Sequence, residues 1–225
     1  MTWRDWTRTV EVEPSIYAAD FSRLGEQLET LLGAGVRIFH FDMGDGHFIE
    51  PVTIGPIVLQ WIAPIVHATA GVVDCHLMVD NPLRHFPQIA AAGGDSVTFH
   101  YEVVVDVPAT IAAAREHGLQ VGVAFNPESE PEDVAAVSGD ADLVLCMSIH
   151  PGYSGQAFMP EAIERIERLR SALPESVHIQ VDGGVGPDNI HRIHEAGATL
   201  FVAGSSIFHG EDLSRAYDGL VRALG

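Results

Sequence analysis

The sequence predicts an α/β fold, a (β/α)8 (TIM) barrel forming a single domain over residues 1–225, on three observations. Apolar runs of strand length alternate with amphipathic stretches, the pattern of parallel strands joined by helices. Eight such units in 225 residues suit one closed barrel, a fold that routinely runs to about this length as one domain. Ionisable residues gather at the C-terminal ends of those runs, where barrels of this kind place their active sites. A doubly wound open sheet is the alternative that the alternation leaves.

The first strand is expected in "VEVEPSIY" (10–17), followed by the helical pattern "FSRLGEQLETLLGAG", with apolar residues three and four apart. "VRIFHFD" (36–42), "GVVDCHLM" (71–78) and "SVTFHYE" (96–102) give the next three strands. The helix "PATIAAAREHG" stops at Gly118. "VGVAFN" (121–126) and "LVLCMSIH" (143–150) follow, and then "PEAIERIERLRSAL" with Pro160 as its first helical residue. "VHIQVDGG" (177–184) and "LFVAGSS" (200–206) complete the eight strands, and "EDLSRAYDGLVRAL" is the last helix. No linker, low-complexity tract or repeat interrupts the alternation.

Composition narrows the function. A formal charge of −19 argues against nucleic acid and anionic membrane as partners. No apolar run reaches the ~18 residues of a membrane span, and the opening "MTWRDWTRTVEVEPS" lacks the apolar core of a signal peptide. A soluble, cytoplasmic protein is expected. Cys75 and Cys146 fall in strands and read as buried free thiols. All twelve basic residues other than histidine are arginine, and there is no lysine. Schiff-base aldolase chemistry and covalent attachment of pyridoxal phosphate are therefore excluded.

The polar strand ends carry the chemistry. In "HFDMGDGHF" (40–48) strand alternation puts His40 and Asp42 on one face. His76 and Asp182 hold comparable positions on the third and seventh strands. Two imidazoles and two carboxylates suit one divalent transition metal, with Zn2+, Fe2+, Mn2+ and Co2+ all compatible. Asp45-Gly46 reads as a turn, with Asp45 and His47 shaping the loop. Glycine-bearing loops follow the last three strands: "HPGYSGQ" (150–156), "DGGV" and "AGSS". Backbone amides there can approach a phosphate without any basic side chain. Metal and phosphate together frame a small sugar phosphate. Two carboxylates on opposite faces of a carbon next to a carbonyl can exchange its proton through an enediolate, which is epimerisation.

"EPSIYAADFSRLGEQ", "HFDMGDGHF", "DCHLMVDNP", "VTFHYE", "MSIHPGYSGQAF", "QVDGGV" and "VAGSSIF" together resemble the ribulose-phosphate 3-epimerase family, in order from about residue 13 to 208. The resemblance implies a (β/α)8 barrel, a divalent metal, and interconversion of D-ribulose 5-phosphate and D-xylulose 5-phosphate at carbon 3. Position by position, His40, Asp42, His76 and Asp182 resemble the metal ligands, with Asp42 and Asp182 as the acid/base pair. Ser15 resembles the substrate-contacting serine, and His76 also faces substrate. Met78 and Met147 match methionines lining the site. Gly152, Tyr153, Ser154, Gly155, Gly183, Gly184, Gly204 and Ser205 match the phosphate-loop region. A homo-oligomer is expected, its size left open.

The chain departs from the family pattern at several points. Glu13 stands where alanine is common, Met43-Gly44 replaces valine-methionine, Glu50-Pro51 replaces Pro-Asn, and Ser154 replaces a glycine. Two readings of Gly44 stay open: it leaves room for a larger ketose phosphate such as a hexulose 6-phosphate, or the loop shifts and Met43 fills the gap. By alternation Met43 should face the helix layer. A related sugar-phosphate lyase is disfavoured by the missing lysine. A non-catalytic sugar-phosphate sensor is disfavoured by the presence of both aspartates.

Overall fold

The computed structural model describes residues 3–225. Its eight strands form one sheet in the order β1-β8-β7-β6-β5-β4-β3-β2, every neighbouring pair parallel. A single parallel bridge from Ser15 to His40 joins β1 to β2 and closes the barrel. The strands are β1 Glu11–Pro14, β2 Ile38–Gly44, β3 Val72–Met78, β4 Ser96–His100, β5 Gln120–Phe125, β6 Leu143–Met147, β7 His178–Asp182 and β8 Leu200–Ala203. The helices are α1 Trp3–Trp6, α2 Leu24–Gly33, α3 Pro56–His67, α4 Phe86–Ala92, α5 Val107–Arg115, α6 Pro131–Val137, α7 Ala162–Ala172, α8 Ile190–Glu195, α9 Ser205–Phe208 and α10 Leu213–Ala223. The expected (β/α)8 barrel is the fold.

Alternation sorts each strand into two faces. Phe39, Phe41 and Met43 of β2, with Val73, Cys75 and Leu77 of β3, join the apolar layer between sheet and helices. Ile38, Val72, Leu143, Leu145 and Leu200 fill the barrel interior together with Trp3 and Trp6. Higher in the interior the filling turns polar: Glu13, His40, Asp74, His76, Thr98, His100 and Gln180 are all fully buried. Gly122 keeps this layer open, since a Cβ there would strike the Thr98 hydroxyl and lie 2.5 Å from Leu143 Cδ1.

Several expected boundaries shift. β1 ends at Pro14, and a 3-10 turn takes Ile16–Ala18. β6 stops at Met147 because Ser148 turns its hydroxyl onto the carbonyls of Asp182 and Gly183, at 2.8 and 2.7 Å. β7 stops at Asp182 because Gly183 and Gly184 adopt positive φ. Glu102 lies in the 3-10 turn Tyr101–Val103 rather than in β4. α7 begins at Ala162, so Pro160 belongs to the turn before it. Gly118 closes the turn after α5 with φ of 78°. Cys75 and Cys146 are buried free thiols, and burial pushes Cys146 up to about 11. Among the described residues no helix is long and apolar enough to cross a membrane.

Candidate active site

The inward faces of β2, β3 and β7 run out at one end of the barrel, bringing His40, Asp42, His76 and Asp182 together. The register sets this directly: Asp42 pairs with His76, and His40 with Asp74. One ligand atom from each of the four lies within 4.8 Å of the others. Asp42 Oδ1 is 3.3 Å from His40 Nε2 and 3.1 Å from His76 Nδ1. His76 Nδ1 is 3.9 Å from Asp182 Oδ2. Asp42 Oδ2 accepts a 2.6 Å hydrogen bond from the Ser15 hydroxyl.

The four residues can hold a metal ion. His40 Nε2 is buried without a hydrogen-bond partner. His40 Nδ1 lies 3.2 Å from Asp74 Oδ2, and an ionised carboxylate only accepts, so that nitrogen donates. The free Nε2 then points at Asp42, as a coordinating imidazole requires. Asp74 is held in turn by Ser96 at 2.6 Å and by Gln180 at 3.0 Å. Gln180 also donates to Glu13 at 2.6 Å. Burial and the Asp74 charge push the Glu13 carboxyl far up, keeping it neutral beside its neighbour.

The two aspartates are driven apart. Burial, then the charge of Asp42, pushes Asp182 up to about 7. Burial also raises Asp42, but the charge of His40 and the contacts from His40 and His76 outweigh it and hold the carboxyl far below the usual range. Burial lowers His40, yet Asp42 and Asp74 reverse this and lift it, so that without an ion the ring is protonated and an ion bound at Nε2 would displace that proton. One carboxylate thus favours its ionised form and the other its protonated form.

A cleft opens above the pair. Ser15, Tyr17, Asp42 and Asp182 line its floor together with Met78 and Met147. Ile149, Pro151, Gly152, Tyr153 and Ser154 of the loop after β6 line its side. Tyr153 bridges the mouth, its hydroxyl donating to Glu50 Oε2 at 3.0 Å. Gly155, Gly183, Gly184, Gly204 and Ser205 lie outside this lining. Gly204 nevertheless backs the cleft: a Cβ on it would lie 3.4 Å from Ser154 Oγ and 3.7 Å from Ser15 Cβ. Asp45 shapes the neighbouring loop as expected, accepting from the backbone of His47, Phe48 and Asp80.

Neither of the two readings of Gly44 holds: the space beside it is filled, and not by Met43. A Cβ there would collide with Ile49 Cδ1 and lie 3.1 Å from the Pro51 carbonyl. Met43 does face the helix layer and does not take the vacated place. Ile49, from five residues further along, takes it instead. Nothing in strand periodicity points to a loop residue folding back. The sequence places Asp74, His100 and Glu102 among the polar strand ends without assigning them partners, and it gives no role to Gln180 or Tyr17. Polar strand ends are visible in the sequence, but their partners depend on register around the barrel.

The model of the ribulose-phosphate 3 epimerase family matches residues 11–208. The ribulose-phosphate 3-epimerase of Escherichia coli (strain K12) is 39% identical over 210 residues, covering 92% of each chain. That of Bacillus subtilis (strain 168) is 35% identical over 211 residues, covering 92% of this chain and 96% of its own. Among solved structures, the 3-hexulose-6-phosphate synthase from Salmonella typhimurium superposes with a TM-score of 0.71 at 17% identity, covering 95% of this chain and 98% of its own. Such a distant likeness speaks for the barrel alone. The matches at 35–39% identity extend over nearly the whole barrel, and they mean that the chain belongs to the ribulose-phosphate 3-epimerase family and is an isomerase.

Proposed function

We propose that the enzyme interconverts D-ribulose 5-phosphate and D-xylulose 5-phosphate by moving the carbon 3 proton between Asp42 and Asp182. The observation that carries this reading is the pair of carboxylates, on β2 and β7, facing one cleft with ligand atoms within 4.8 Å of one another and of two imidazoles. Asp42, ionised, removes the proton from one face of carbon 3. Asp182, protonated, delivers one to the opposite face, leaving an inverted centre and the two aspartates with exchanged protonation. Catalysis in the reverse direction uses the same pair with roles swapped. The Ser15 hydroxyl, bound to Asp42 Oδ2, orients the base. Met78 and Met147 give the reacting carbons an apolar surface that keeps water from the enediolate. His40, His76, Asp42 and Asp182 would hold the divalent ion. When bound, that ion polarises the ketose carbonyl and stabilises the enediolate charge. The backbone of Gly152–Gly155, Gly183, Gly184, Gly204 and Ser205 receives the phosphate.

Gly44 does not argue for a larger sugar, since Ile49 occupies the space; the pentulose phosphate is the favoured substrate. The test is turnover of ribulose 5-phosphate in deuterated water, with the purified enzyme before and after chelation. We expect deuterium at carbon 3, activity lost on chelation and restored by a divalent ion, and Asp42→Asn and Asp182→Asn each slower by about 10²–10⁴-fold. Product without deuterium, or full activity in either variant, would overturn the mechanism.

A further inference from the structure

Behind His76, away from the cleft, a buried second imidazole and a carboxylate nearer the surface form a line. His76 Nε2 lies 2.8 Å from His100 Nε2, and His100 Nδ1 lies 3.3 Å from Glu102 Oε2. The rings of His76 and His100 stack with centroids 5.0 Å apart, and Phe48 covers His100 at 4.6 Å. His100 is fully buried. The other oxygen of Glu102 accepts from the Asn126 amide at 2.7 Å and from the Ser129 hydroxyl at 2.6 Å. Glu102 is thereby fixed by the loop after β5 and kept as an acceptor.

With both imidazoles neutral, as a ligating ring must be, counting protons along the line leaves one arrangement. An ionised carboxylate only accepts, so His100 Nδ1 carries a hydrogen. A neutral His100 then has a bare Nε2. Two nitrogens 2.8 Å apart share one hydrogen, which must come from His76 Nε2. A neutral His76 protonated there has a bare Nδ1, and that nitrogen faces Asp42 Oδ1 at 3.1 Å and Asp182 Oδ2 at 3.9 Å. A lone pair turned toward the ionised Asp42 carboxylate is repulsive unless a cation stands between them. His40 offers the matching arrangement by a shorter route, since its Nδ1 donates to Asp74 and its Nε2, without a hydrogen-bond partner, is turned toward Asp42 for an ion to take.

We propose that His100 and Glu102 are positioning residues that hold His76 as the Nε2–H tautomer and so present its Nδ1 lone pair to a divalent ion. The proposal rests on the reading of His40, Asp42, His76 and Asp182 as an ion site. Hydrogen-bonded partners of this kind orient the ligating ring and raise its basicity. Neither residue lines the cleft, so neither acts on substrate directly, and their effect passes through the His76 ring.

The test is zinc affinity, measured by competition with a chromophoric chelator. His100→Leu, which removes the acceptor but fills the space, should bind zinc about 10–100-fold more weakly than the unmodified enzyme. His100→Gln, whose amide can still accept from His76 and donate to Glu102, should stay near the unmodified affinity. A folded His100→Leu variant that binds zinc as tightly as the unmodified enzyme would overturn the proposal and leave the ion site standing. An unmodified enzyme that binds no divalent ion would bring down the site and the proposal together. Should His100→Leu not fold, ¹⁵N-histidine NMR of the unmodified zinc-loaded protein decides. A scalar coupling from His76 Nε2–H to an unprotonated His100 Nε2 is expected, and a hydrogen bonded covalently to His100 Nε2 would overturn the proposal.

Discussion

Gly44 lacks a side chain because Ile49 has taken its place. Ile49 is buried, packs against the Gly44 backbone, and lies near Gly152 on the other side of the mouth. A methionine at 44 in this setting is an overpacking change, which typically costs about 1–3 kcal/mol. Gly44→Met alone should therefore lose stability in urea unfolding, and adding Ile49→Ala should recover part of the loss. If the double variant were the sum of the two singles, Ile49 would not be the residue that excludes a side chain at 44. Asp182 makes a second prediction at this scale. Burial and the Asp42 charge push its carboxyl up to about 7, against about 3.9 in an unfolded chain. Between those values the folded state holds a proton that the unfolded state has released, so this group's contribution to stability falls as pH rises through the window. In chelator-treated protein, Asp182→Asn should gain stability relative to the unmodified enzyme as pH is raised across that range. A constant difference between the two would show that Asp182 is not shifted.

At the scale of elements, the proposed function gives the glycine turns after β6, β7 and β8 the task of receiving the phosphate. Gly184, at φ of 64°, sits against the chain at Phe158, where an added Cβ would collide with the Phe158 amide nitrogen and lie 2.8 Å from its Cα. Gly184→Ala should push these two loops apart and raise KM for ribulose 5-phosphate. Turnover of unphosphorylated ribulose, expected to be poor in any case, should change much less. Equal effects on both substrates would remove phosphate recognition from these loops. The strands and four of the helices were legible because period-two and three-to-four spacing are local properties of the chain. So was the meeting of His40, Asp42, His76 and Asp182, because alternation puts His40 and Asp42 on one face of β2 and His76 and Asp182 toward the same ends of β3 and β7. Strand ends were less legible: β6 stops where the Ser148 hydroxyl finds the Asp182 and Gly183 carbonyls, a contact 34 residues or more away in sequence. Arg165 was illegible for the same reason. It lies on α7, yet its guanidinium ties the Met147 and Asn126 carbonyls at 2.9 Å each and covers the Phe125 ring at 4.9 Å, bracing the ends of β5 and β6.

The whole molecule divides its tasks along the barrel axis. Proton transfer is assigned to the C-terminal ends of the strands, and the opposite end is closed by tryptophan. Trp3 and Trp6 pack edge to face with centroids 5.3 Å apart. They join Ile38, Val72, Leu143 and Leu200, the first residues of β2, β3, β6 and β8, so the plug lies at the N-terminal mouth. A four-residue helix is too short to be stable alone, and α1 is held by this apolar contact. Trp3 is 1% exposed, and replacing a buried aromatic of this size with alanine typically costs about 3–5 kcal/mol. Trp3→Ala should therefore lower the urea midpoint strongly. Because the interior between plug and cleft is filled by side chains, kcat and KM measured well below the unfolding transition should stay near those of the unmodified enzyme. An unchanged midpoint would mean that the plug is not part of the folded barrel's stability. A loss of kcat in fully folded protein would mean that packing at the N-terminal mouth reaches Asp42 and Asp182, and that stability and chemistry are not divided between the two ends.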